Sequence, residues 1–223
     1  MISAPILAGL LSACAPNVDV RTAAAIVAVE SGGDPLSLHD NTSHSSFHPR
    51  DLAAATRLAQ SLIGRGDSVD LGLAQVNSGN FAAFGVTAAQ MLEPCRNLSV
   101  SQRILARDYA AQYQRATGPT EGERRQLALR LAFSTYNSGS AQAAPSYADL
   151  VVAATSSVLV RETTAIADAH RAASPNADVF PATAAAKPSA PARIAYVPPR
   201  ASAAFAGMPE RTIVGAAFVG GSR

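Results

Sequence analysis

Tryptophan is absent from this chain, and aromatic residues make up only 5% of it. Cores of β-sandwiches draw on aromatic and β-branched side chains, so the shortage argues against a sheet sandwich. Alanine, the strongest helix former, dominates instead and favours helices. Charge is balanced: 18 Lys and Arg against 16 Asp and Glu give a formal net charge of +2. That excludes the dense basic footprint of a nucleic-acid binder. Lysine occurs once, at Lys187, and the preference for arginine reads as GC-rich coding rather than chemistry. No apolar run reaches the roughly 20 residues that a membrane-spanning helix requires. Cysteine occurs twice, at Cys14 and Cys95. Two cysteines far apart suit either one disulfide in an oxidising compartment or two buried thiols in a reducing one, and counting does not separate these.

What is present suffices for one domain of ordinary size with a tail: 223 residues, 48% of them hydrophobic. The first residues, "MISAPILAGLLSACAP", have the short apolar core and small residues of an export signal, without its positive start. "LSAC" (Leu11 to Cys14) also fits a lipoprotein cleavage box, which leaves Cys14 either lipidated or disulfide-bonded. Residues 1–13 are therefore set apart as an apolar segment.

Helical signals follow. Asp19 is placed to cap a helix over residues 20–30, which Gly32 and Gly33 end. A second helix is predicted after Asp51, burying Leu52, Ala55, Leu58 and Leu62 and stopping at Gly64. The stretch "GRGDSVDLGLAQVNSGNFAAFG" reads as loops and short extended pieces. Thr87 with Gln90, Ser99 with Gln102 and Thr120 with Glu123 each fit a capping box. The helix after Ser99 carries Leu105, Tyr109 and Tyr113 on one face, read as core. Another runs from about residue 121 to Gly139, and a last one spans residues 146–173 ahead of Pro175. Beyond it an Ala/Pro/Ser-rich stretch without periodicity predicts a disordered tail over residues 174–223.

Glu30 is the residue that asks for an explanation. It ends an apolar helix, where the partial negative charge of the helix terminus disfavours a carboxylate. Apolar neighbours raise the pKa further, and a carboxyl that stays protonated at neutral pH is what a general acid needs. A lone glutamate at a helix end is ordinarily just an exposed side chain. Here "ES" at residues 30–31 is followed by "GLAQVN" at 72–77, "PCRNL" at 94–98 and "LAFSTYNSG" at 131–139.

These four motifs, in this order, resemble the lysozyme-like lytic transglycosylases, most of all the branch associated with type IV secretion and conjugation. The resemblance covers roughly residues 14–152. Ala74 stands where the family usually has methionine. The resemblance implies a mainly α, lysozyme-like (α+β) domain over residues 14–173. It implies Glu30 as catalytic acid/base, Gln75 as a sugar-binding residue, Tyr136 as the tyrosine that orients the acid, and Asn137 as its glycan-side neighbour. Asn77 and Ser31 carry over more weakly, each doubling as a turn or cap residue. Gly72 is expected to let backbone approach the glycan. Cys14 and Cys95 match the paired cysteines of this branch, which favours the disulfide over lipidation.

The implied reaction cuts the bond between N-acetylmuramic acid and N-acetylglucosamine and closes a 1,6-anhydro ring. It takes place in the periplasm, on peptidoglycan strands, and helps a secretion apparatus cross the wall. One carboxylate suffices for it, whereas a hydrolytic lysozyme uses two. Asp34, Asp40 and Asp70 are the possible second carboxylates. Asp34 and Asp40 read as turn and loop residues, and Asp70, just before "GLAQ", keeps hydrolysis open. A non-catalytic glycan-binding scaffold is the reading of a different class. Intact Glu30, Gln75 and Tyr136 argue against it. His39, His44 and His48 crowd one loop at spacings that match no standard metal site, so neither metal nor cofactor is expected. The terminal "RTIVGAAFVGG" suggests docking of the tail on a secretion-system subunit.

Overall fold

The computed structural model describes residues 1–173. The tail expected over residues 174–223 lies outside the described residues. In chain order the helices are α1 (Ala4–Cys14), α2 (Val20–Glu30), α3 (Leu52–Gly64), α4 (Phe81–Phe84), α5 (Ala88–Met91), α6 (Pro94–Tyr113), α7 (Glu121–Ser138), α8 (Pro145–Ala154) and α9 (Val158–Ala173). Between them lie four short strands, β1 (Leu38–Asp40), β2 (Ser45–Phe47), β3 (Val69–Leu71) and β4 (Val76–Asn77). These form one antiparallel sheet in the order β2-β1-β3-β4. The mainly α fold with a small sheet agrees with the sequence reading.

Two hydrophobic clusters make the core. The larger gathers Leu7 and Leu11 of α1, Ala24 and Val27 of α2, Leu105 of α6, Phe133 of α7, Tyr147 of α8 and Val160 of α9. The second joins Leu38, Leu71 and Val76 of the sheet to Ala55 and Leu62 of α3, Met91 of α5 and Ile104 of α6. Tyr136 packs against both. The segment between β3 and β4 crosses from one to the other, since Leu73 and Ala74 belong to the first cluster and Leu71 and Val76 to the second.

Helix α2 is the centre of the larger cluster. Asp19 caps it, its Oδ1 accepting from the backbone N–H of Arg21 at 3.0 Å and of Thr22 at 3.4 Å. Residues 22–27 are buried without interruption, so α2 is enclosed on all sides. Its small alanines let α1, α8 and α9 approach closely. The helix stops at Glu30, and Gly32 and Gly33 turn the chain away at φ +60° and +86°.

Several local expectations change. The apolar segment 1–13 reads in the sequence as separate from the domain, yet α1 buries Leu7, Ala8 and Leu11 in the main core, and the Ile2 N–H donates to the Gly33 carbonyl at 2.8 Å. The packed unit thus begins before Cys14. Leu52 is 48% exposed, because the stripe that α3 buries is Ala55, Ala59 and Leu62. The capping boxes at Thr87/Gln90 and Thr120/Glu123 form, but Ser99 and Gln102 lie inside α6, which starts with Pro94 at its first turn. The Gln102 amide instead ties α6 to the end of α1, donating to the Cys14 carbonyl at 3.0 Å and accepting from the Asn17 N–H at 3.1 Å. Tyr109 and Tyr113 are only half-buried and stack on each other, with ring centroids 5.9 Å apart. The last expected helix is two, bent by 62° between Ala154 and Val158. There Thr155 and Ser156 turn their hydroxyls back onto the carbonyls of Val152 and Ala153 and compete with helix continuation. Among the described residues no single helix is long and apolar enough to cross a membrane.

Cys14 and Cys95 form a disulfide, with Cα atoms 5.3 Å apart and a sequence separation of 81. It joins the end of α1 to the start of α6 and leaves Cys14 no thiol to lipidate. Constraining an unfolded loop of that size stabilises by about 4 kcal/mol in the chain-entropy model. Replacing both cysteines by serine is expected to lower the denaturation midpoint accordingly. Adding reductant to the wild type should produce the same drop, and a wild-type midpoint that reductant leaves unchanged would sink the assignment.

Candidate active site

Glu30 stands at the last turn of α2, partly open to solvent, and its Oε1 accepts a hydrogen bond from the Tyr147 hydroxyl of α8. Desolvation pushes its carboxyl up to about 8 from an ordinary value of 4.5. The Tyr147 hydrogen bond pulls it down and the charge of Asp70 adds to the rise. A carboxylic acid with this value is protonated at neutral pH and close enough to neutrality to take the proton back.

The neighbouring "GLAQ" segment is held in place by a knot of hydrogen bonds. Ser31, capping α2, donates its Oγ to the Leu73 carbonyl at 2.7 Å. The Tyr136 hydroxyl, near the end of α7, donates to the Ala74 carbonyl at 2.7 Å. Asn97 of α6 is fully buried. Its Oδ1 accepts from the Ala74 N–H at 2.8 Å, while its Nδ2 donates to the carbonyls of Leu71 at 2.7 Å and Met91 at 2.8 Å. Every hydrogen-bonding group of the Asn97 amide except one oxygen lone pair is thereby used.

Gly72 sits at φ +78°, and a Cβ there would lie 2.5 Å from the Met91 oxygen and 2.6 Å from the Asn97 amide nitrogen. Close approach to the Met91 backbone and the Asn97 side chain, at a positive φ, is by itself enough to demand glycine at this position. Gln75 adopts φ +43°, a left-handed conformation uncommon outside glycine. Its Nε2 donates to the carbonyls of Ser37 at 3.1 Å and Gly72 at 2.8 Å. The amide nitrogen is thus committed, and Oε1 is the polar atom available to a ligand.

On the sheet, Asp70 of β3 is gripped by two asparagines. Asn77 donates to its Oδ1 and Asn41 to its Oδ2, both at 2.7 Å. Burial raises its pKa, while these two bonds and the charge of His39 oppose the rise. Asn77, carried over as a weak sugar contact, serves as a brace, since its Oδ1 also accepts from the Gly79 N–H at 2.8 Å. Asn137 follows Tyr136 on α7, and its Oδ1 is buried with no hydrogen-bond partner among the described residues.

The other two aspartates are occupied by turns. Asp34 accepts from the Leu36 N–H at 2.9 Å and pairs with His48 at 2.9 Å. Asp40 accepts from the Thr42 N–H at 2.9 Å and from Ser43 Oγ at 2.6 Å. His39 bonds Ser46 at 2.9 Å. Among the described residues no cluster of three His, Cys, Asp or Glu is placed to hold a metal.

The structure therefore brings Glu30, Ser31, Gln75, Tyr136 and Asp70 around one segment. The hydroxyl bonded to Glu30 belongs to Tyr147, while the Tyr136 hydroxyl fixes the loop. Tyr147 and Asn97 escape the sequence reading as site residues. Tyr147 lies near the start of what reads as one helix over residues 146–173. Asn97 sits within "PCRNL", where its bonds to Leu71 and Ala74, more than twenty residues away, leave no local signal.

A family model described as "Transglycosylase SLT domain" matches residues 11–147. The chain is 41% identical over 126 residues to "Protein virB1" of Agrobacterium fabrum, covering 56% of this chain and 49% of that protein. It is 38% identical over 151 residues to "Type IV secretion system protein virB1" of Brucella abortus, covering 65% of this chain and 61% of that protein. The chain thus spans about half the length of the Agrobacterium relatives it matches. No solved structure matches it significantly. With more than half its length matched by that model, and with Glu30, the "GLAQ" loop and Tyr136 folded together inside the matched range, the chain belongs to the SLT transglycosylase domain family.

Proposed function

We propose that this protein is a peptidoglycan lytic transglycosylase that opens the cell wall locally, in the periplasm, for a type IV secretion or conjugation apparatus. The observation that carries the chemistry is the Glu30 carboxyl, raised to about 8 at the end of a buried helix and steadied by Tyr147. Protonated Glu30 gives its proton to the glycosidic oxygen between N-acetylmuramic acid and N-acetylglucosamine. The C1–O bond breaks, its electron pair leaves with that oxygen, and the sugar's own N-acetyl group supports the positive centre. The Glu30 carboxylate then takes the proton of the C6 hydroxyl as O6 bonds to C1. Gln75 through Oε1 and Asn137 at the end of α7 contact the glycan, and Tyr136 holds the loop that carries Gln75. The secretion context rests on relatives named as type IV secretion proteins, and the tail over residues 174–223 is the segment proposed to meet secretion-system subunits.

Asp70, beside Glu30, favours one second reading, hydrolysis by a pair of carboxylates. Mass analysis of the products from purified wall glycan separates the two. Chains ending in 1,6-anhydromuramic acid are expected, and products heavier by one water would establish a hydrolase instead. Binding without cleavage by the intact chain would leave only a scaffold.

A further inference from the structure

The geometry points to Asp70 as a positioning residue for the acid–base cycle proposed above, a clamped anion beside Glu30 that drives the proton back to it in each turnover without itself attacking the sugar. The end of α2 and the segment after β3 are joined directly, since Ser31, next to Glu30, donates its hydroxyl to the carbonyl of Leu73, three residues after Asp70, at 2.7 Å. Ser46, His39, Asp70 and Asn77 face one another in register across β2, β1, β3 and β4, forming a polar row over the whole sheet. Side chains alternate between the faces of a strand, so their neighbours Leu38, Leu71 and Val76 point the other way, into the second hydrophobic cluster. Within the row both Asp70 oxygens receive amide N–H donors, from Asn77 and Asn41. Two donors match a carboxylate, which only accepts, and the protonated acid would leave its own O–H facing a donor. The clamp also denies Asp70 the freedom to swing onto an anomeric carbon.

The groups acting on Glu30 come from two elements, Tyr147 on α8 and Asp70 on β3, with His39 on β1 facing Asp70 in turn and Tyr136 on α7 feeling the Glu30 charge. Among the described residues no arginine or histidine forms an ion pair with Glu30. When Glu30–H has protonated the leaving oxygen, its carboxylate is left beside a second fixed negative charge. Like charges in a partly desolvated site disfavour that state. The O6 proton relieves it as the ring closes, so each cycle returns Glu30 to its starting form with no net proton gained or lost. This role rests on the transglycosylase reading, but its electrostatic core does not need turnover to be observed.

The test is titration of the Glu30 carboxyl by carbon-detected NMR in the full chain, alongside the pH profile of kcat/KM on glycan strands. In Asp70→Asn the Glu30 titration is expected to fall by about one pH unit. The alkaline limb of kcat/KM should move with it, giving roughly a fivefold loss at pH 8 relative to pH 6, with KM and the anhydro product unchanged. Asp70→Glu, which keeps the charge, should restore the higher titration. An unmoved titration in a folded Asp70→Asn protein overturns the inference, and so does a uniform loss of kcat with the limb in place. Wild-type products carrying a reducing end would instead overturn the transglycosylase reading, whatever the titration shows.

Discussion

Glu30→Gln is expected to lower glycan cleavage by roughly 10³-fold, the share that general acid–base catalysis contributes, while the fold and glycan binding persist. The amide matches the carboxyl in shape and can still hydrogen-bond to Tyr147, but it has no acidic proton to give. A zymogram or product assay in which the variant retains more than a few per cent of activity would defeat the assignment. In the wild type the protonated form is the active one, so kcat/KM should fall as pH rises through about 8. The same shift bears on stability with a definite sign. Because the folded state holds this proton more tightly than the unfolded chain, Glu30 stabilises fully below pH 4.5, and that contribution is lost as pH climbs through about 8. Glu30→Gln removes the dependence. The variant should therefore be the more stable protein at pH 9, on the order of 2 kcal/mol after discounting for partial exposure, and no more stable than the wild type at pH 4. Equal melting temperatures of the two at pH 9 would mean that burial of the carboxyl is not what raises it.

The second large effect is expected at a residue to which the proposed chemistry assigns no step. Asn97→Ala leaves the Ala74 N–H and the Leu71 and Met91 carbonyls without their side-chain partner, all beside a fully buried position. Each buried group that loses its bond costs about 1–3 kcal/mol, and a vacated volume adds to that. A total loss of about 4 kcal/mol is expected by denaturant titration. Activity should drop even where the variant remains folded, because Asn97 anchors the loop that carries Gln75 and accepts the Ser31 and Tyr136 hydroxyls. Asn97→Asp should be worse than its shape suggests, since two carbonyls would then face an acceptor. A loss below about 1 kcal/mol for Asn97→Ala would show that the loop is held by Ser31 and Tyr136 alone.

Helices whose instructions are local are legible in the amino-acid sequence alone. Asp19 caps α2 and Thr120 with Glu123 caps α7, and Gly32, Gly33 and Gly139 end them, because a cap is a bond between residues two or three apart. Glu30 stands out for the same reason: the helix end that disfavours its charge lies in its own sequence window. The roles of Tyr147, Asn97 and Asp70 have no such window. Tyr147 reaches Glu30 across 117 positions, and Asn97 reaches Ala74 across 23. The clamp on Asp70 depends on strand register that brings Asn41 and Asn77 to either side of it. Hydrogen bonds between residues so far apart exist only when packing holds both partners in place. Local chemistry along the chain therefore singles out Glu30, while the groups that tune its carboxyl and hold the neighbouring loop are decided by the fold.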